Sequence, residues 1–551
     1  MTPPALLIPI VLPILGAAIA ATAGRAGHGI ARASASLGVW GAAVAVVAIW
    51  LPVRSTQEIS LGQLGFGSPF DLRLDMIGLV FSLAVLIPAA TLLALQPRTW
   101  QENTVAGLGV AAAMAAIEAG GVLMTAVAGC TAATLVVIQL DVEDLRAPRP
   151  SWALLLAAWL ALAWAGVVLQ VVGGTAVYAA VPVSAMTVPV FALLAFASIF
   201  GGGLVPWRGW TSAIWSRTSL RAAGLAVATL QPLALYLFVR AYELGDGHYP
   251  QSWLNVVLAA WGVLVAFGAA ARAQAATTRR EYMAEVLPGL AGFALMALAV
   301  GSALGLIAAL ILTASTAIIV IGIALLPDRG GAPSLLVTAA AAGVPPGLVF
   351  GGRILGLGAA IEAGGAMGLV GLAGVATWLV AAAAAARSVG LPAGRGRSAV
   401  ETLPRVAMMI GAAMLALGPA LALAYLAASA AAADVMNVPA LAQATGLGTI
   451  VTESTVVPVV SLLGPLLVVG AIALALSKRT GLTPRTGEPP PLFPLYAAQA
   501  AARIVNALRR AAVPSEYRSL FNPRALENVA AGGTPLLWLA SIVALAIAVT
   551  R

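Results

Sequence analysis

Apolar runs close to the ~20 residues needed to cross a bilayer follow one another along almost the whole chain, separated by short loops. Their spacing predicts fourteen to sixteen transmembrane helices, the uncertainty lying at the tight turns beside Glu118 and at 302/303. Spans over 183–203, 222–240 and 334–362 are among them. Only 9% of the residues are charged and 61% are hydrophobic, a balance that excludes an ordinary soluble domain. The fold class is therefore all-α and polytopic.

Basic residues outnumber acidic ones, 29 to 20, yet they sit in short loops between apolar runs, which reads as membrane topology and not as a nucleic-acid face. With the N-terminus outside, every basic residue falls on the inner side except Arg54, Arg73, Arg240, Arg551 and an intramembrane Arg353. The first run has no basic segment before it and is followed by Arg25, so it reads as an uncleaved span. The membrane expected is the bacterial inner membrane.

One segment breaks the pattern of plain spans. GVPPGLVFGGR, from Gly343 to Arg353, puts Pro345 and Pro346 inside an apolar run and an arginine shortly after. In lipid such a break is tolerated where neighbouring helices or a wet cavity satisfy the freed backbone groups. An arginine at that depth costs roughly 2.5–3.5 kcal/mol on insertion scales. Either a functional polar axis or a paired structural arginine accounts for it.

Chemistry of other kinds is thinly represented. One cysteine, Cys130, and two histidines, His28 and His248, leave no metal, haem or iron–sulfur spacing and no Ser/His/Asp or Cys/His arrangement. The chain is expected to carry no catalytic residues and no cofactor, so that redox groups belong to partner subunits. The Gly-rich runs at 201–203 and 446–450 lack the strand and helix context of a phosphate loop and read as close helix packing. Outer loops at 55–74 and 433–454 read as surface caps. After a proline-rich linker, Leu495, Ala498, Ala502, Val505, Leu508 and Ala512 mark one face of an amphipathic inner helix suited to lipid or to a neighbouring subunit.

At 200–240 the chain reads FGGGLVPWRGWTSAIWSRTSLRAAGLAVATLQPLALYLFVR. With RREYMAEVLPGLAGF at 279–293 and AGVPPGLVFGGR at 342–353, this resembles the antiporter-like membrane subunits of respiratory complex I, of Mrp cation/proton antiporters and of energy-converting hydrogenases. The resemblance covers roughly residues 4–480. It implies two inverted five-helix repeats, at 104–240 and 253–386, between N-terminal helices (1–103) and a C-terminal section (387–551). Each repeat would contain a broken helix lining a half-channel, with protonatable residues along the membrane midplane.

At those midplane positions the chain departs from the family. The fifth-helix acid falls near Ala128, the seventh-helix lysine at Gly201, the eighth-helix lysine at Pro232, and the two histidines at Arg208 and Leu290. Only the twelfth-helix position keeps a charge, as Arg353, and an arginine with a pKa above about 12 does not exchange protons as a buried lysine can. A remaining proton path would have to use water, Glu118, Glu362, Glu285 or the hydroxyls of Thr313, Ser315 and Thr316, each of which also has a purely structural reading. The function expected is an antiporter-like subunit of a complex I-type proton-translocating assembly, with a degenerate path and a largely structural role. The alternatives are an active translocating subunit and a stand-alone secondary transporter.

Overall fold

The computed structural model describes residues 3–25, 27–63, 69–96, 98–143, 150–207, 209–217, 220–245, 249–325, 332–344, 347–388, 391, 403–417, 420–436, 449–451 and 456–458. Pro345, Pro346, Arg208 and the amphipathic helix expected around 495–512 lie outside these.

The chain opens with helices α1 (Ile8–Thr22) and α2 (His28–Val53), whose backbones touch where Gly16 faces Gly38; a Cβ on either glycine would meet a carbonyl of the other helix at 2.5 or 2.6 Å. A hairpin of β1 (Gln57–Gln63) and β2 (Pro69–Leu74) follows, antiparallel, with Glu58 opposite Arg73. Asp75 then caps α3 (Met76–Leu95), its carboxylate accepting from the Gly78 N–H at 2.7 Å. Thr99 and Glu102 form a reciprocal capping box that starts α4 (Trp100–Ile117). Next come α5 (Val122–Glu143), α6 (Pro150–Gly173), α7 (Val188–Gly201), α8 (Trp210–Arg217), α9 (Leu220–Leu244) and α10 (Ser252–Gln274). The series continues with α11 (Arg279–Ala299), α12 (Ala303–Ala324), α13 (Ala332–Ala342), α14 (Leu348–Glu362), α15 (Gly365–Ser388), α16 (Leu403–Leu417) and α17 (Ala420–Met436). A short antiparallel hairpin, β3 (Thr449–Val451) and β4 (Val456–Pro458), ends the described part.

Ten described helices are long and apolar enough to cross a membrane. The other described spans of the sequence reading are α4, the short α7, and the pairs α13/α14 and α16/α17; the last two lie in the undescribed part except for Val456–Pro458, which form a strand where a helix was expected to start. Helices α9, α11 and α12 are enclosed almost completely, whereas α1, α2, α6, α10 and α15 turn much of their surface outward. A helix that is apolar all round belongs either in a core or in lipid, and the two groups divide on that line. Residues 204–221, left by the sequence reading between two spans, contain the short helix α8.

A second difference concerns Arg240. Sequence position puts it on the outer surface, but it is 1% exposed near the end of α9. A guanidinium tolerates that burial because it is paired: Asp75 takes it through both carboxylate oxygens, Glu243 through a third bond, and the Tyr236 hydroxyl accepts from its Nε at 2.9 Å. Arg73 extends the cluster to Glu58, Asp75 and Glu243, tying the hairpin to α3 and α9.

Candidate functional site

Among the described residues, two interruptions between consecutive helices are built alike. The first lies between α7 and α8, the second between α13 and α14. Each begins at a glycine with positive φ just past a helix end: Gly203 at +65° and Gly343 at +82°. In each, the last carbonyl of the first half-helix accepts a side-chain hydrogen bond from the second half-helix. Trp210 Nε1 on α8 donates to Gly201 O at 3.1 Å, and Arg353 Nη1 on α14 donates to Ala342 O at 2.8 Å. A cation at a helix C-terminus also meets the negative end of the helix dipole, so α13 itself offsets part of the Arg353 charge. The Phe293 ring, 4.9 Å from the guanidinium carbon, covers another face of it.

Helix α10 attends to the remaining carbonyls of the first interruption. Trp261 Nε1 donates to Leu204 O at 2.9 Å, and the Arg272 guanidinium donates to Pro206 O. Arg272 Nε also donates to Glu285 Oε2 at 2.8 Å, and that oxygen accepts from Ser212 on α8 at 3.1 Å. Glu285 in turn borders a cavity of about 30 Å³ shared with Tyr282, Phe293, Arg353 and a ring of alanines from α10. That volume exceeds the ~10–15 Å³ one water requires. Glu285, tied through Arg272 to Pro206, and Arg353, tied to Ala342, thus line one cavity between the two interruptions.

Of the residues singled out from sequence, Arg353 and Glu285 come together at this cavity and the other described ones do not. Thr313, Ser315 and Thr316 donate to Ala309 O, Ile311 O and Leu312 O of their own helix at 2.8, 2.7 and 2.8 Å. Glu362 closes α14 and is exposed. Glu118 directly follows α4, at the start of the connection to α5, fully enclosed. Ala128 is half-buried; its neighbour Gly129 lies against Trp159, where a Cβ would fall 2.2 Å from the indole. Gly201 ends α7 beside Ala234, Ala158 and Trp159, Pro232 is inside α9, and Leu290 is buried in α11. Sequence reasoning missed Trp210, Trp261 and Arg272 as donors to the first interruption. Trp210 stood in the stretch that carried the family resemblance; Arg272 was absorbed into the inner-loop charge pattern.

No protein-family model and no curated protein sequence matches the chain. Solved structures do. A chain in the structure of the Mrp complex from Dietzia sp. DQ12-45-1b superposes with TM-score 0.72 at 19% identity, over 98% of this chain. The chain has the antiporter-like fold. It spans 63% of the length of that Mrp-complex chain. A chain of the membrane-bound sulfane sulfur reductase, an archaeal respiratory membrane complex, matches with TM-score 0.72 at 16% identity, over 99% of this chain and 100% of its own length. Respiratory complex I from Thermus thermophilus with bound NADH contains a third, TM-score 0.65 at 17% identity, over 78% of this chain and 99% of that one. At these identities the likeness is one of fold.

Proposed function

We propose that the chain is an antiporter-like membrane-arm subunit of a complex I-type, redox-driven proton-translocating complex, with a degenerate proton path and a largely structural role. The observation that carries this is the identity of the donors at the two interruptions. Gly201 O, Leu204 O, Pro206 O and Ala342 O accept from Trp210, Trp261, Arg272 and Arg353. An indole N–H is a donor only and an arginine stays charged at any physiological pH, so these groups hold the interruptions without passing protons on. In the first half, Trp159 occupies the space beside Gly129, next to the position that resembles the family's fifth-helix acid.

Its partners in this reading are other membrane subunits and redox subunits, with lipid around the remaining faces and no nucleic acid. Two inverted repeats, at 104–240 and 253–386, would each contribute one interruption. The arginine distribution supports an N-terminus on the outer side of a bacterial inner membrane. The cavity beside Glu285 favours a second reading, in which water and Glu285 still move a proton between the halves.

Gentle detergent extraction of the full chain tests membership: redox subunits are expected to co-purify, whereas an active monomer in liposomes would make it a stand-alone transporter. Arg353→Ala separates the two remaining roles. Impaired assembly or stability, with transport per assembled complex unchanged, is expected; selective loss of coupled translocation in an intact complex would establish the second reading.

A further inference from the structure

The connection between α4 and α5 is hydrogen-bonded on both sides. Arg73 N–H donates to Glu118 O at 2.6 Å and Gly120 N–H to Asp71 O at 2.7 Å, pairing residues 118–120 with β2. On the other edge, Tyr178 N–H donates to Gly120 O at 3.0 Å and Val122 N–H to Ala176 O at 2.9 Å. From below, the Tyr236 hydroxyl donates to Ile117 O at 2.6 Å. The Glu118 side chain is enclosed at the centre of this weave, 0% exposed, and neither carboxyl oxygen has a hydrogen-bond partner.

The charged and titratable groups on the surrounding elements are engaged with one another. From β2, Arg73 pairs with Glu58, Asp75 and Glu243, and Asp71 leaves its own Oδ1 buried without a partner. From α9, Arg240 is taken by Asp75 and Glu243, while the Tyr236 hydroxyl accepts from Arg240 and donates to Ile117 O. From the loop before α7, the Tyr178 hydroxyl donates to Thr125 Oγ1 on α5 at 3.0 Å. None of these donors reaches Glu118. An ionised carboxylate without water, donor or cation carries an effective penalty of several kcal/mol, which a bound proton removes. Burial pushes the Glu118 carboxyl well above the usual carboxylate range, in the same direction as the geometry.

We propose that Glu118 is a proton-binding site on the outer half of the protein: its carboxyl is a neutral acid in the closed structure and releases its proton to outer water when residues 118–121 part from β2 and from 176–178. The step is a plain acid dissociation, carboxylic acid plus water giving carboxylate and hydronium, and requires no further reactant. The site is separate from the positions of the resembling family's protonatable residues and from the Glu285 cavity, and it does not depend on which partners the chain assembles with.

Infrared spectroscopy of the purified full-length protein at neutral pH tests it. The carbonyl stretch of a protonated carboxylic acid is expected in the wild type and its loss in Glu118→Gln. Because glutamine keeps the shape and neutrality of the acid and has no proton to lose on unfolding, Glu118→Gln should also fold with at least the wild-type yield and unfolding midpoint, whereas Glu118→Ala, which leaves a void, should lower both. An unchanged acid band in Glu118→Gln would overturn the proposal. So would a Glu118→Gln protein that fails to fold or is as unstable as Glu118→Ala, since a neutral isostere would then not substitute for the native state.

Discussion

Arg240 grips Asp75 through two parallel bonds, Nη1 to Oδ2 at 2.7 Å and Nη2 to Oδ1 at 2.9 Å, pinning the end of α9 to the residue that starts α3. Both side chains are 1% exposed, so neither has water to fall back on. Removing one partner of such a pair leaves a buried charge uncompensated, at a cost of about 3–5 kcal/mol. Asp75→Asn is expected to destabilise the protein by that order, read as a lower unfolding midpoint in detergent. Replacing both residues with neutral ones should cost less than the sum of the single changes.

Asp75 and Glu118 should make stability respond to pH in two opposite senses. Burial alone would raise the Asp75 carboxyl, but Arg240, Arg73 and the Gly78 N–H outweigh it and hold it below the usual range. A carboxyl whose pKa is lower in the folded state contributes stability that is complete above the ordinary aspartate value near ~4 and is lost as pH falls through the lowered one. Glu118, raised by burial, contributes in the reverse sense: its share is complete below the ordinary glutamate value and is lost as pH rises through the raised one. Unfolding midpoints measured across pH should therefore fall at both ends. Asp75→Asn should flatten the acid limb and Glu118→Gln the alkaline one; a wild-type profile indifferent to both substitutions would contradict this assignment.

Gly343 holds a backbone conformation that other residues adopt at a cost of roughly 1–2 kcal/mol. Its φ is +82°, and a Cβ there would lie 2.8 Å from Val349 Cγ1 and 3.2 Å from Arg353 Nη1. Gly343→Ala should destabilise by at least that much and displace the Arg353 cap. Gly358, inside α14 with nothing within 4 Å of a Cβ, is the control. Gly358→Ala should be neutral or stabilising by up to about 1 kcal/mol in the same unfolding assay.

Trp210→Phe isolates the cap of the first interruption, because phenylalanine retains an aromatic ring but lacks the N–H that reaches Gly201 O. A buried carbonyl left without its donor costs about 1–3 kcal/mol. Faster amide hydrogen exchange at Gly202–Val205 should accompany the loss of stability, and unchanged exchange there would count against a capping role for the indole.

The helices were legible in the sequence because lipid demands long apolar runs, and the interruption near Gly343 was legible because proline and arginine are conspicuous in such a run. The other interruption was harder to see. Between Gly201 and Trp210 the residues are those of a plausible inner loop, and only three-dimensional contact shows Trp261 and Arg272 completing their backbone bonds. Arg240 was misplaced for a related reason. Counting basic residues by side of the membrane treats each arginine as exposed, and the partner that buries this one, Asp75, is 165 positions away in the chain. The hydroxyls of Thr313, Ser315 and Thr316 had a structural reading available from the outset, and the bonds to their own helix agree with it.

The indole of Trp159 has a consequence for how such a protein could change over time. It lies where any side chain on residue 129 would begin, so α5 and α6 are fitted to one another around an aromatic wedge. Ala128, one position earlier, is half-buried and outside that contact, so the fit concerns residue 129 alone. Any larger residue at 129 would require the bulky ring to shrink first, and the protein with the smaller ring alone would carry a destabilising hole. By that ordering the glycine and the ring are far easier to keep together than to replace one at a time.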